Sequence, residues 1–232
     1  SLALFRNLLV EVGEIYEKLR PAQRAKELIG FVSSEYGHAL HPLRTILGRR
    51  LDAIFVELGV LKGANCFTMR RHPYPTSVIG VDPFKTKGHF EEAIALRNTL
   101  FGAKNPGMKW LRTNYLGARN DVKAELERLK SEGIDILLIN PVGDESMMMQ
   151  IWTQYHDLVS IGGFVIFSGF LESPVVKQVI INLMDKSEFI FSGFLFLGSP
   201  RNPEGATFLG PPENQPAYGK AMSDLVVIRR IA

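Results

Sequence analysis

Cysteine is almost absent. Cys66 is the only one in 232 residues, which excludes an internal disulfide framework and fits a reducing compartment, so a cytoplasmic protein is expected. Long apolar runs are also missing. The longest, 161–171 and 189–198, contain glycines and fall short of the roughly 18 residues that a membrane span requires, so they suit buried strands instead. Charge imbalance is small at +3, and the doublets Arg49-Arg50, Arg70-Arg71 and Arg229-Arg230 lie far apart, so no basic tract points to nucleic acid. A nucleophile elbow, a phosphate loop and a Cys–His pair are all lacking, which leaves hydrolase and kinase chemistry without support. His38 and His41 have no evident third ligand, and no metal site is expected.

With 46% hydrophobic and 22% charged residues, the chain can bury one large core, and a single domain over 1–232 is the default. Its most informative stretch is Ile54 to Asn65, IFVELGVLKGAN. A hydrophobic strand there ends in an acid, Glu57, and two glycines follow, Gly59 and Gly63. Both can take positive backbone angles and let the main chain approach a bound molecule closely. Glu57 lies at the strand's carboxyl end, where open parallel sheets place their ligand crevice. A second apolar strand, Ser77 to Asp82, ends in another carboxylate, positioned to accept hydrogen bonds from ribose hydroxyls. The Gly-x-Gly pair of the dinucleotide fingerprint is absent, which weighs against a nicotinamide or flavin cofactor.

Glu57-Leu58-Gly59, then Gly63, then Gly80-Val81-Asp82, resembles the first two motifs of class I S-adenosylmethionine-dependent methyltransferases. The likeness covers roughly 39–169 and is nearest to the small-molecule O-methyltransferase and cephalosporin-hydroxylase-like branch, although Asn65 stands where that branch has Ser or Thr. It implies an α/β, Rossmann-like fold with a seven-stranded, mostly parallel sheet whose last strand is antiparallel, lying between the fifth and sixth. It also implies S-adenosylmethionine as cofactor. Glu57, Gly59, Gly63 and Asn65 would line the methionine end, Asp82 the ribose, and Thr113 and Asn114 the adenine.

The remaining periodicities suit that fold. Leu4, Leu8, Val12 and Ile15 recur at helical spacing and Pro21 opens a second helix, giving a helical extension over 1–50 ahead of the α/β core at 51–232. The first residue is Ser1, which leaves the native amino terminus open, a removed targeting segment included. Strands alternate with helices from Leu51 onward. Asn120 is positioned to cap one helix and Gly133 to stop it; Asp144 caps the next, whose apolar stripe runs from Met148 to Val159 and ends at Gly162-Gly163. Strands at 134–139 and 164–167 follow these helices, and Ser173-Pro174 starts another. The proline-rich stretch 198–222 is a functional lid or a flexible loop; as a lid it offers Arg201, Asn202, Glu204 and Tyr218 to a substrate.

After the fourth and fifth strands the branch carries acids that help hold a divalent metal, whereas this chain reads Asn140-Pro141-Val142-Gly143 and Phe167-Ser168-Gly169. Family-type metal dependence is therefore not expected. Asn140-Pro141 matches half of the N-P-P-aromatic motif of amino-group methyltransferases, without the aromatic residue that stacks on a flipped base. Among the histidines, His72 and His89 fall near the crevice rim in this layout. The expected catalytic residues are Asn140, with Asp144 or His156 to position or deprotonate a small-molecule acceptor. The alternative is a cofactor-binding pseudoenzyme or interaction module. The sequence leaves acceptor and oligomeric state open.

Overall fold

The computed structural model describes residues 40, 43–48, 52–60, 63–85, 88–140, 143–169, 173–183, 189–196 and 224–232. The expected amino-terminal helices and the 198–222 stretch, with Arg201, Asn202, Glu204 and Tyr218, lie outside these residues.

Seven strands form one sheet: β1 (Ala53–Leu58), β2 (Thr76–Asp82), β3 (Met108–Arg112), β4 (Ile134–Ile139), β5 (Val159–Ser168), β6 (Phe189–Phe196) and β7 (Asp224–Arg230). Their spatial order is β3-β2-β1-β4-β5-β7-β6. The first five pair in parallel, and β7 runs antiparallel to both β5 and β6. This is the expected arrangement. β6 and β7 are neighbours, and the antiparallel direction lets consecutive strands pair without a helical crossover.

Every residue of β1, β2 and β4 is buried, as continuous apolar runs must be when both faces of a parallel sheet are covered. The covering helices are α1 (Ala64–Arg70), α2 (His89–Phe101), α3 (Arg119–Arg128), α4 (Glu145–Tyr155) and α5 (Pro174–Leu183). On one face Ile54 and Val56 of β1 and Leu137 and Ile139 of β4 pack with Val122, Ile151 and Val179; on the other Phe55 and Val78 pack with Leu43, Phe67 and Ala93.

Three local expectations need correction. The start of α3 is at Arg119, with Ala118 as its cap and Asn114 Oδ1 accepting from Gly117 N at 2.6 Å just upstream, so Asn120 lies inside the first turn. Its end is set by Lys130 rather than Gly133. Lys130 takes a left-handed φ of 54°, Ser131 N donates to Leu126 O and Lys130 N to Glu127 O, the paired bonds that close a helix end. Gly162-Gly163 does not stop α4; a single 3₁₀ turn, His156–Leu158, does so, and Val159 already belongs to β5. The two glycines form an irregularity within that strand, where its register against β4 shifts. A Cβ on Gly163 would come within 2.9 Å of Ser160 O, so only glycine fits the kink.

Candidate functional site

The strand order reverses direction between β1 and β4, and the crevice of an open parallel sheet opens at the carboxyl ends of the strands at such a point. Glu57 stands there. Its side chain is buried, with Oε1 accepting from Asn65 Nδ2 at 2.8 Å and Asn140 Nδ2 at 3.1 Å, and Oε2 accepting from Cys66 Sγ at 2.9 Å. Burial pushes this carboxyl up to about 7, and the three hydrogen bonds pull in the opposite direction. Burial together with the Glu57 charge raises the Cys66 thiol well above its ordinary value, so Cys66 is a protonated donor and not a reactive thiolate.

Asn140 ties the strand ends together. Its main-chain N donates to Leu58 O at 3.0 Å, and its Nδ2 donates to Gly59 O at 2.7 Å as well as to Glu57. Its Oδ1 accepts from Ser168 Oγ at 2.7 Å. A polar relay therefore runs Ser168 to Asn140 to Glu57 across the ends of β5, β4 and β1. Where the branch resembled carries metal-holding acids, this chain has two neutral side chains bonded to each other.

The Gly59 turn has the backbone that the sequence calls for, with φ of 93° at Gly59 and 89° at Gly63, and Gly59 N donating to Val81 O at 2.9 Å. What fills the space beside Gly63 is nevertheless part of the protein. A Cβ there would lie 2.6 Å from the Trp110 ring, and one on Gly80 only 2.4 Å from the same ring. The indole of β3 thus lies over both glycines. Asn65 Oδ1 is buried without a hydrogen-bond partner among the described residues, an acceptor left beside the Glu57 carboxyl.

Asp82 ends β2 and is 8% exposed; its Oδ1 accepts from Phe84 N at 2.5 Å, and Phe84 has a left-handed φ of 48°. Burial, and then the Asp82 charge, push Tyr115 up to about 12. Thr113 and Asn114 follow β3 at the same edge, half-buried and exposed respectively. Asp144 caps α4 by accepting from Met147 N at 2.9 Å.

The structure brings Glu57, Gly59, Gly63, Asn65, Asp82, Thr113, Asn114 and Asn140 to one edge of the sheet, with Asp144 at the helix that leaves it. It does not bring His156 there. His156 follows the last residue of α4, where Nδ1 lies 3.0 Å from Trp152 O and the ring stacks on Trp152. The ten-residue length of β5 then separates it from Ser168, about 30 Å at the usual strand rise. His72 is likewise at the amino end of β2, its Nδ1 accepting from Tyr74 N, whereas His89 opens α2 at the crevice edge. The participants missing from the sequence-based site are Ser168, Cys66 and Trp110. Position at the end of β5 marked the first; nothing local marked the indole.

Solved structures with this fold include an rRNA methylase from Streptococcus thermophilus, 15% identical over 84% of this chain and 96% of that one, with a TM-score of 0.55. An O-methyltransferase from Bacillus cereus in complex with SAH is 14% identical over 97% of this chain and 91% of that one, with a TM-score of 0.59. At such identities the likeness is one of fold. No protein-family model matches the chain, and no curated protein does.

Proposed function

We propose that this chain binds S-adenosylmethionine along the carboxyl edge of the sheet and transfers its methyl group to a small or medium-sized acceptor without a metal. The observation that carries this reading is the pair of buried carboxyl groups, Glu57 and Asp82, at the ends of adjacent strands on either side of the Gly59 turn. From β3 to β5 five strand ends span about 19 Å at the usual spacing, a length suited to an extended nucleoside joined to an amino acid. The chemistry of the donor set fits. Asp82 has oxygens for ribose hydroxyls, and the unpartnered Asn65 Oδ1 beside Glu57 suits an ammonium group.

The cofactor supplies an electrophilic methyl on a sulfonium. The protein's own part is to hold an acceptor atom in line and exclude water, which needs neither nucleophile nor metal. Asn140, fixed by Gly59 and Ser168, is the positioning group beside that place. Asp144 is the nearest acid in sequence to remove a proton from the acceptor.

One observation favours the second reading, a cofactor-binding protein without transfer activity. Both ends of the Asn140 amide are already bonded, and the Asp144 carboxylate caps α4. Calorimetry with S-adenosylmethionine and S-adenosylhomocysteine tests the proposal. Binding that Asp82→Asn weakens at least about tenfold is expected, since a hydrogen bond to a charged group is lost. Absence of binding at millimolar concentration refutes it. Binding without methyl transfer across small-molecule and RNA acceptors selects the second reading, and transfer that a chelator abolishes overturns the metal-independent mechanism.

A further inference from the structure

A cleft of about 550 Å³ opens at the amino end of the sheet, opposite the proposed cofactor edge, lined by Arg70, Ser77, Gly107, Arg128, His72 and Asp52 among others. Its volume is in the range of small-molecule sites. The Arg70 guanidinium is set in place on its wall. It lies against Gly107, where a Cβ would be 3.0 Å from Cζ, with Nε 3.4 Å from Asn105 Oδ1 and Nη1 3.3 Å from Thr76 O. No carboxylate pairs with it among the described residues. Arg128 braces the same turn by donating to Pro106 O at 3.1 Å, but its charge is matched by Glu125 at 2.6 Å. Both His72 nitrogens are engaged, near Thr45 Oγ1 and by accepting from Tyr74 N.

Ser77 adds an independent sign. It is only 9% exposed, it lines the cleft, and its hydroxyl has no hydrogen-bond partner among the described residues. A hydroxyl without a partner and an unmatched guanidinium lining one cleft are two donors for an anion. Asp52 on the same wall disfavours a polyphosphate and accepts from a hydroxyl instead.

We infer that this cleft binds a phosphate monoester of a small hydroxylated molecule, with the phosphate held by Arg70 and Ser77. The two ends of the sheet then serve different ligands. The test is a titration of the full chain with ribose 5-phosphate and with inorganic phosphate, followed by protein NMR shifts and calorimetry. Saturable binding of the sugar phosphate, tighter than that of inorganic phosphate, is expected. Arg70→Gln should weaken it about tenfold or more and Ser77→Ala several-fold, with S-adenosylhomocysteine binding unchanged. Ser77→Ala keeps the test open should Arg70→Gln fail to fold. No saturable binding, undiminished binding by both variants, or displacement of the sugar phosphate by S-adenosylhomocysteine overturns the inference.

Discussion

Replacing Glu57 by Gln removes one proton-binding group from the interior and leaves a side chain of the same shape. Glu57 has an ordinary value of 4.5 and is raised to about 7 in the fold, chiefly by burial. Between those values the folded chain holds a proton that the unfolded chain has released, so stability falls as pH rises. The contribution is complete below 4.5 and gone once pH has passed about 7. At about 1.4 kcal/mol per pH unit the whole effect is about 3 kcal/mol, and about 2.5 kcal/mol of it falls between roughly pH 5 and pH 8. The amide of the variant does not titrate. Urea unfolding of wild type and Glu57→Gln across that range should therefore show the wild-type stability, measured against the variant, decreasing by about 2.5 kcal/mol. Comparing the two chains at each pH cancels the groups they share. A difference that stays constant, or that grows with pH, would refute the assignment of a buried carboxyl held protonated by its surroundings.

Three further outcomes follow from other contacts. Gly80→Ala places a Cβ 2.4 Å from the Trp110 ring and 2.9 Å from Val60 Cγ2 and should destabilise by about 1–3 kcal/mol, a cost that Trp110→Leu in the same chain should reduce in a double-mutant cycle of urea melts while the Val60 contact keeps part of it. Asp144→Ala should lower stability by about 1 kcal/mol through loss of the α4 cap; a fall in methyl transfer with no change in stability would assign the carboxylate to the acceptor instead. A cationic ligand group beside Glu57 favours its ionised form, so cofactor binding near pH 6 should release a proton, read as a dependence of the binding heat on the buffer's ionisation heat.

The sheet was legible because its central strands are buried on both faces and read as unbroken apolar runs, each ending in a polar residue. The carboxyl edge was legible for the same reason: Glu57, Asp82 and Asn140 are where those runs stop. What misled were features whose meaning depends on direction and on distant packing. In a parallel sheet the helices run back toward the amino edge, so a residue at the end of α4 lies far from the crevice, and His156 could have been placed by that rule alone. Gly162-Gly163 has the appearance of a helix stop, yet its role is set by the carbonyls of Ser160 and Ile134, which no local pattern announces. Lys130 adopts a left-handed angle that a glycine ordinarily supplies.

Trp110 gives the glycine turn an ancestry of its own. Because one indole covers both Gly63 and Gly80, the three positions form a unit of inheritance. A descendant that keeps the tryptophan can change neither glycine, and one that trades it for a smaller side chain relieves the tightest contact at both, leaving Val60 Cγ2 at 2.9 Å against Gly80 and Phe67 Cζ at 3.1 Å, with the positive backbone angle, against Gly63. Across related chains the three should accordingly vary together, and the persistence of both glycines in a lineage need not mean that its cofactor has persisted.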